Sequence, residues 1–221
     1  MKKATVSVRT VERLPKYLAY LNDMKEKGHH RVSSASIAEA LGATSSQVRQ
    51  DIATFGNYGS TGYGYEINRL SNEIKEILDL NTTHEVAIIG VGSLGHALLE
   101  HLDFNKYGFH VFAGFDVNPD LIGTEINGVP IYATSELGKI LTDNFVDICI
   151  LTLSQKAAKP VAKQLYDLGV PAIWNFTNVF LDLPKNIFVR DIDFLGDLFV
   201  LSYQLSTQTD RKKQSVKVQN E

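Results

Sequence analysis

Residues 86–95, VAIIGVGSLG, are an apolar run that ends in the glycine pattern G-x-G-x-x-G. A strand that stops at such a turn and continues as a helix seats a dinucleotide pyrophosphate on the helix N-terminus. About 85 residues precede the pattern, so we expect a nucleotide-binding domain behind a separate N-terminal domain. The residues of the turn expected to contact the nucleotide are Gly90, Val91, Gly92, Ser93, Leu94 and Gly95.

Composition and charge limit the classes of protein to which the chain can belong. The chain has 221 residues, 44% of them hydrophobic, which suffices for two modest domains with cores of their own. We expect neither a membrane span nor a signal peptide. Cys149 is the only cysteine and lies in an apolar run, which excludes an internal disulfide and favours the cytoplasm. Residues 1–65 carry nine Lys/Arg and five Asp/Glu, so a mildly basic front precedes an acidic remainder.

The front of the chain predicts a winged helix-turn-helix domain over residues 1–80. Apolar residues recur at three- and four-residue steps over residues 11–24, as on one face of a helix. Ser34 is predicted to cap a second helix and Ser45 a third, with Gly42 in the turn between them. A small helical protein-interaction domain is the alternative interpretation of this segment.

The outer side of the third helix carries side chains that suit phosphates and base edges in a major groove, and Arg49 is the best candidate for a guanine contact. The following GNYGSTGYGYEI predicts a β-hairpin, or wing, that would lie over the adjacent DNA backbone. Tyr65 could pack on the core or contact DNA. The predicted DNA contacts are Ser33, Ser34, Ser45, Ser46, Gln47, Arg49, Gln50, Tyr58, Gly62 and Tyr63.

Strands alternate with helices over residues 81–192, which predicts a Rossmann-like parallel sheet. The strand FHVFAGFD ends at Asp116, 26 residues beyond Gly90, near the spacing of the acid that binds the adenosine ribose. A carboxylate there accepts bonds from ribose hydroxyls and repels a 2′-phosphate, which favours NAD over NADP. A simple strand-end turn residue is the alternative for Asp116. Further nucleotide contacts are expected at Val117, Thr152 and Leu153.

Residues 193–208 predict a helix that is apolar around more than half of its circumference. One sheet seldom needs so apolar a terminal helix, so we expect it to dock on a second subunit. Asp193 and Phe194 are assigned to the nucleotide site, where Phe194 of the partner subunit would pack on the nicotinamide ring. Residues 209–221 are polar and predict a flexible tail.

Together these segments resemble the Rex family of redox-sensing transcriptional repressors. The resemblance implies a homodimer whose C-terminal helix crosses to its partner. It further implies a pseudo-palindromic operator that is released when NADH binds, with NADH/NAD+ as the sensed ligand. Neither RNA nor a membrane is expected as a partner. The matching residues are 31–65, 86–99, 115–123, 174–184 and 189–198.

The sequence departs from the family pattern at several positions. Family members with a described inter-domain switch carry an Arg at the position of Ala19 and a Tyr at that of His101, which pair with an Asp matching Asp193. Only the Asp is present here, so this latch must differ. Gln50 and Thr61 stand where Lys or Arg is common, which reduces phosphate attraction.

Two other functions share part of this pattern. An NAD-dependent dehydrogenase with an accessory winged helix would use the same glycine turn and Asp116. However, the sequence contains no Y-x-x-x-K pair and no separate substrate domain, so we expect no enzyme and no catalytic or metal-binding residues. A DNA-binding regulator that senses a different nucleotide is the other alternative.

Overall fold

The computed structural model describes residues 6–56, 59–60 and 63–218, and only the backbone of residues 59–60 and 208–218. The chain divides into two compact units, an N-terminal unit, Met1–Thr83, and a C-terminal unit, His84–Glu221. The helices described in the N-terminal unit are α1 (Val8–Val11), α2 (Leu14–Glu26), α3 (Ser34–Leu41), α4 (Ser45–Ala53) and α5 (Ile67–Ile77).

Helices α3 and α4 form the predicted helix-turn-helix, with Gly42 at φ +64° in the turn. Their caps differ from prediction by one residue. Ser33 rather than Ser34 caps α3, since its Oγ accepts from the N–H three residues on at 2.9 Å. Thr44 rather than Ser45 caps α4 in the same way at 3.1 Å. Each site offers two adjacent hydroxyls, and the one with the extended backbone becomes the cap.

The predicted wing is an antiparallel sheet in the order β1-β3-β2, formed by β1 (Arg31–Val32), β2 (Gly59–Ser60) and β3 (Gly64–Glu66). The Arg31 guanidinium fixes it by donating from Nε to Tyr63 O at 2.8 Å and from Nη2 to Gly64 O at 3.0 Å. Tyr65 is buried in the core of the unit, whereas Tyr63 is 75% exposed. Of the two roles left open for Tyr65, the structure therefore supports the packing role.

A buried carboxylate, Asp51 of α4, joins the recognition helix to the first two helices. Arg13 donates to it from Nε and from Nη2, both at 2.6 Å, and the Tyr17 hydroxyl donates at 2.6 Å. Gln47 Nε2 and Thr10 Oγ1 approach the same carboxylate at 3.0 and 3.3 Å. Because Asp51 is only 1% exposed, these donors replace the water that an ionised carboxylate would otherwise need.

The pKa values in this network show which proton each group holds. Burial alone would raise the pKa of Asp51, but hydrogen bonds from Arg13, Tyr17 and Gln47 outweigh it and hold the pKa below its usual range. The hydrogen bond to Asp51 is the main cause that raises the pKa of Arg13. Burial, and then Asp51, raises the pKa of Tyr17 to about 12. Asp51 and Arg13 are therefore charged at neutral pH, and Tyr17 is a neutral donor.

The C-terminal unit is built on a sheet of strand order β10-β9-β8-β4-β5-β7-β6, parallel except for the β6–β7 pair. Without β6 this is the doubly wound Rossmann order, which confirms the predicted fold. The edge strands β6 and β10 were not predicted from the sequence. The strands are β4 (His84–Ile89), β5 (Phe109–Asp116), β6 (Glu125–Ile126), β7 (Val129–Ala133), β8 (Ile148–Leu151), β9 (Ala172–Asn175) and β10 (Phe188–Asp191).

Helices cover both faces of this sheet. Strand β4 alternates, with Val86 and Ile88 packed in one core with Leu99, and Ala87 and Ile89 in the other. A central parallel strand with two buried faces reads as a continuous apolar run, as residues 86–89 do. The helices are α6 (Ser93–His101) at the first core, α7 (Leu137–Asp143) and α8 (Gln155–Asp167) at the second, and the terminal α9 (Phe194–Val218).

The terminal helix α9 continues to Val218, past residue 208, where the sequence analysis ended it and expected a flexible tail from residue 209. Lys, Arg and Gln in this segment are good helix formers, so its polarity does not oppose a helix. No helix in the described part of the chain is long and apolar enough to cross a membrane. Among the described side chains of α9, the large exposed apolar ones are Phe194, Leu195, Leu198, Phe199, Val200, Leu201, Tyr203 and Leu205.

Asp51→Asn is expected to lower the free energy of unfolding of the N-terminal unit by about 3–5 kcal/mol at neutral pH, because it leaves Arg13 without its counter-charge. The wild-type contribution is present above the unfolded-state pKa of about 3.9 and is lost as the pH falls through the lower folded pKa. The gap between wild type and variant should therefore shrink below about pH 4. Urea unfolding followed by circular dichroism at several pH values measures it, while Trp174 fluorescence follows the C-terminal unit separately.

The matched control is Asp23→Asn, which removes an exposed ion pair with Lys27 at 2.7 Å and should cost less than about 1 kcal/mol. If Asp51→Asn is as stable as wild type at neutral pH, the network does not stabilise the unit.

Candidate functional site

The glycine turn joins β4 to α6 and packs closely against the end of β8. A Cβ at Gly90, whose φ is +96°, would lie 2.9 Å from the Thr152 carbonyl oxygen and 2.9 Å from a Leu153 methyl carbon. A Cβ at Gly95 would collide with the carbonyl oxygen of Gly90. Both positions therefore require glycine so that the turn, the helix and the neighbouring strand can approach one another.

Gly92 serves a different purpose. It is the exposed N-cap residue of α6, and a Cβ built on it would meet no atom within 4 Å. Ser93 and Leu94, which open the helix, are also exposed. The first N–H groups of a helix have no intrahelical partner and attract anions. The open space at Gly92, beside these N–H groups, thus fits a pyrophosphate group that a side chain would obstruct.

Asp116 ends β5 beside the glycine turn. Its Oδ2 accepts from Val91 N–H at 2.6 Å, and its Oδ1 accepts from Val117 N–H and Asn118 N–H, both at 2.8 Å. These bonds give Asp116 the strand-end role that the sequence analysis named as the alternative. Each carboxylate oxygen has two lone-pair sites, so both sites of Oδ1 are used and Oδ2 keeps one acceptor site for a ribose hydroxyl.

Thr152 and Leu153 follow β8, the other neighbour of β4. The Thr152 hydroxyl donates to Gly90 O at 2.5 Å, and Thr152 N–H donates to Ile89 O at 3.0 Å. Thr152 therefore holds the glycine turn to the end of β8. The structure thus brings the turn, Asp116, Thr152 and Leu153 together at the carboxyl edge of the sheet, where the strand order reverses and ligands bind such folds.

An aromatic row begins within the C-terminal half of β9 and reaches the first residue of α9. The Trp174 and Phe176 ring centroids are 4.6 Å apart, and those of Phe176 and Phe194 are 6.1 Å apart. Asp193, just before α9, accepts from Gly196 N–H at 2.9 Å. Sequence analysis did not identify Trp174 and Phe176 as site candidates. Trp174 is the next-to-last residue of β9, the strand next to β8, and Phe176 follows that strand directly, so their place at the same sheet edge was the available signal.

The exposed surface of α4 carries Ser46, Arg49 and Gln50, as predicted for a DNA-reading helix. Arg49 Nη1 donates to the Ser34 hydroxyl of α3 at 3.4 Å, so these two predicted contacts lie together. Gln47 is instead half-buried, with its amide turned towards the buried carboxylate of the same helix.

The remaining predicted DNA contacts fall into three groups. Ser33 and Ser45 sit at the starts of α3 and α4, where the Ser33 hydroxyl is occupied as a cap. Tyr63 is exposed on the wing. Tyr58 and Gly62 lie outside the described residues, as does Thr61, the position at which a Lys or Arg is common in the family pattern.

Cys149, His96 and His101 are of the residue types that act as nucleophiles or as acid–base groups, but each has the surroundings of a structural residue. Cys149 is fully buried in β8, and burial raises the pKa of its thiol, which confirms the predicted structural role. His96 Nε2 and His101 Nε2 both approach Glu100 Oε2, at 3.5 and 3.6 Å, on an exposed face of α6. These three groups therefore give no sign of a catalytic centre.

Two family models match the chain. A model described as a CoA binding domain matches residues 81–179, and one described as a putative DNA-binding protein N-terminus matches residues 5–53. The redox-sensing transcriptional repressor Rex of Lactobacillus gasseri is 37% identical over 213 residues, which cover 96% of this chain and all of that protein. The Rex protein of Clostridioides difficile is 35% identical over 198 residues, covering 90% and 94% of the two chains.

Solved structures give the same result. The structure of RSP in complex with β-NAD+ and operator DNA has a TM-score of 0.85 at 35% identity and covers 96% of this chain and 98% of its own. The structure of RSP with β-NADH has a TM-score of 0.87 at 34% identity, with coverage of 96% and 99%. RSP is described as a Rex-family repressor.

Paired alanine substitutions in the glycine turn should separate packing from ligand binding. Gly92→Ala is expected to keep the stability of the C-terminal unit and to weaken dinucleotide binding by about tenfold or more, because its Cβ fills the pyrophosphate space. Gly95→Ala should lower the stability itself, since its Cβ collides with the backbone of the turn. Thermal unfolding and nucleotide titration of both variants measure this. Unchanged binding in a folded Gly92→Ala chain would move the pyrophosphate elsewhere.

Proposed function

Because this chain belongs to the Rex family of redox-sensing transcriptional repressors, we infer that it is a DNA-binding repressor that responds to NADH and NAD+ and leaves its operator when NADH binds. The observation that carries this function is a match to Rex proteins along nearly the whole chain, which includes both units. The relatives are named as repressors, so the chain is a regulator and not an enzyme. As a regulator of transcription, it is expected to act in the cytoplasm.

On the DNA side, we assign base contacts to α4 and backbone contacts to the wing. Arg49 and Gln50 are exposed on α4, and Tyr63 is exposed at the wing. In helix-turn-helix proteins the second helix enters the major groove, while flanking elements hold the phosphates. Two elements, α4 and the wing, thus supply the side chains that would reach DNA. The core of the N-terminal unit holds both elements in place.

On the nucleotide side, we propose NAD(H) over coenzyme A and NADP. One matching family model is described as a CoA binding domain, yet the adenosine ribose of coenzyme A carries a phosphate, as that of NADP does. The Asp116 carboxylate would repel such a phosphate and accept a bond from a free ribose hydroxyl. Val91, Gly92, Ser93 and Leu94 would hold the pyrophosphate, and Asp116 would hold the ribose.

Sensitivity to redox state follows from ring charge. The nicotinamide ring of NAD+ carries a positive charge that the ring of NADH lacks, and an apolar pocket penalises an unpaired cation. Phe194, 58% exposed at the start of α9, is the side chain that we assign to the pocket of the partner subunit. Within one chain, Phe194 contacts Phe176. Docking of α9 on the partner subunit would replace this contact with one in the partner's pocket.

The exposed apolar surface of α9 supports a homodimer. Eight large apolar side chains of this helix are exposed in the single chain, more than a monomer usually leaves in contact with water. We propose that α9 packs on a second copy, so that one helix serves both the dimer and the nucleotide pocket. If NADH favours a closed dimer whose DNA-reading helices no longer match the half-sites, the operator is released through a population shift.

Asp116→Ala should weaken NADH binding and narrow the preference for NADH over NADPH, since the substitution removes both the acceptor and the repulsive charge. The variant should stay on its operator at NADH concentrations that release the wild type. Fluorescence titration with NADH, NAD+ and NADPH, with operator binding followed in parallel, measures both effects. Unchanged NADH affinity would leave Asp116 with its structural role alone.

A chain that ends at residue 192 should have a lower oligomeric mass and should no longer be released by NADH, because it lacks α9. A chain that ends at residue 209 is the control and should be dimeric and responsive. Light scattering and operator binding of both truncations test the linkage. If the shorter chain is dimeric and released by NADH, the dimer contact lies elsewhere.

A further inference from the structure

We propose that Arg31 binds one backbone phosphate in each operator half-site while it holds the wing against the strand that leads into the helix-turn-helix. The inference rests on the proposed function, since it names a residue through which this chain would bind its operator. It assigns Arg31 a positioning role towards the wing backbone and a binding role towards a phosphate. Arg31 is not among the DNA contacts predicted from the sequence.

Arg31 lies at the junction of the wing and the helix-turn-helix. It belongs to β1, and Ser33, two residues further on, caps α3. The neighbouring strand β3 approaches β1 so closely that a Cβ built at Gly64 would collide with the Val32 carbonyl oxygen. In helix-turn-helix proteins the first helix crosses the DNA backbone, and flanking elements hold the phosphates. Arg31 is thus fixed between two elements that are expected to lie near the DNA backbone.

The two hydrogen bonds of Arg31 occupy one edge of its guanidinium. Nε donates to the Tyr63 carbonyl oxygen at 2.8 Å, and Nη2 donates to that of Gly64 at 3.0 Å. A guanidinium has five N–H groups, so one on Nη2 and two on Nη1 are left, and these have no partner in the described part of the chain. A charged N–H without a protein partner needs water or a ligand, and the exposed position of Arg31 gives access. The edge formed by Nη1 and Nη2 suits two oxygens of one phosphate.

Among the described residues, no carboxylate forms an ion pair with Arg31. Glu66 lies directly opposite it in the β1–β3 pair, where opposite charges attract each other across the strands. The Glu66 carboxylate instead caps α5, where its two oxygens accept from Asn68 N–H at 3.0 Å and from Arg69 N–H at 2.9 Å. The acceptors that Arg31 does have are uncharged carbonyl groups. Its positive charge therefore remains for an anionic partner.

The hairpin that Arg31 holds carries no charged side chain of its own. Residues 56–65, GNYGSTGYGY, contain no Lys, Arg, Asp or Glu. A protein that approaches the DNA backbone gains affinity from cations, because they release counterions from the phosphates. Arg31 supplies such a cation beside the hairpin, where it bonds the backbone of the exposed Tyr63. The anion that these observations favour is a phosphate of the operator backbone.

The test is a phosphate scan of the operator. The wild-type full-length chain selects an operator from a random duplex library, and each phosphate of that operator is then replaced in turn by an uncharged methylphosphonate. Arg31→Gln keeps an N–H donor for the wing carbonyls and removes the charge. We expect one position in each half-site at which the replacement weakens wild-type binding by about three- to tenfold and leaves the binding of Arg31→Gln unchanged.

The salt dependence of binding separates a phosphate contact from a purely structural role. Arg31→Gln should reduce the slope of log affinity against log salt by about 0.9 for each half-site contact that is lost, because fewer counterions are released. Arg31→Lys keeps the charge and should keep the wild-type slope. Arg9→Gln, which removes an exposed arginine of α1, is the matched control. Whatever it does to overall affinity, it should leave the phosphate sensitivity at the Arg31 position intact.

Loss of sensitivity at one phosphate of each half-site in Arg31→Gln, and not in Arg9→Gln, supports the proposal. A folded Arg31→Gln that keeps every phosphate sensitivity of the wild type, or that binds more weakly with an unchanged salt slope, would overturn it.

If circular dichroism shows Arg31→Gln to be unfolded, the wild-type chain is treated with an arginine-specific dicarbonyl reagent, and modification is read by mass spectrometry. Bound operator should protect Arg31, and undiminished modification in the complex would overturn the proposal. Failure of the proposed function has a separate signature, because the library then yields no enriched operator and Arg49→Ala changes no DNA affinity.

Discussion

Asp51 is ionised and buried, so it needs a hydrogen-bond donor at each oxygen, and that need organises the N-terminal unit. The donors come from the segment that begins α2 and from α4 itself, which ties the recognition helix to the rest of the unit. Arg13 also neutralises the acidic group that α4 would otherwise bring close to phosphates. The exposed side of α4 is left with Arg49 as its charged side chain.

A second carboxylate has a comparable position in the C-terminal unit. Asp116 accepts from Val91 N–H of the glycine turn and from two N–H groups of its own turn. The Thr152 hydroxyl also donates a hydrogen bond to the Gly90 carbonyl oxygen of the turn. The proposed pyrophosphate site is therefore held in one conformation by the protein itself, and preorganisation of this kind lowers the entropic cost of binding. In both units, a carboxylate accepts hydrogen bonds from backbone or buried donors and so holds a proposed binding surface in place. This surface is α4 in the N-terminal unit and the glycine turn in the C-terminal unit.

The sequence predicted the parts of this account that depend on local patterns. The glycine turn, Asp116 and the helix-turn-helix have fixed spacings, so they could be identified from the sequence. Each helix cap was predicted one residue too late, because two adjacent residues carry a hydroxyl at each site. The Asp51 network was missed because Arg13 lies 38 residues away along the chain, and no local pattern joins them. Strand β10 was missed because its residues are all exposed and show no alternation. Its parallel pairing with β9 is a tertiary contact.

In the proposed mechanism, nucleotide and operator compete for one protein because they favour opposed conformations of it. Such coupling is reciprocal, so the factor by which NADH lowers operator affinity must equal the factor by which operator lowers NADH affinity. The direct measurement is NADH titration of the full-length dimer with and without saturating operator, beside operator titration with and without NADH. We predict equal factors in the range of about 5- to 150-fold. An NADH affinity that is the same with and without operator would contradict the account.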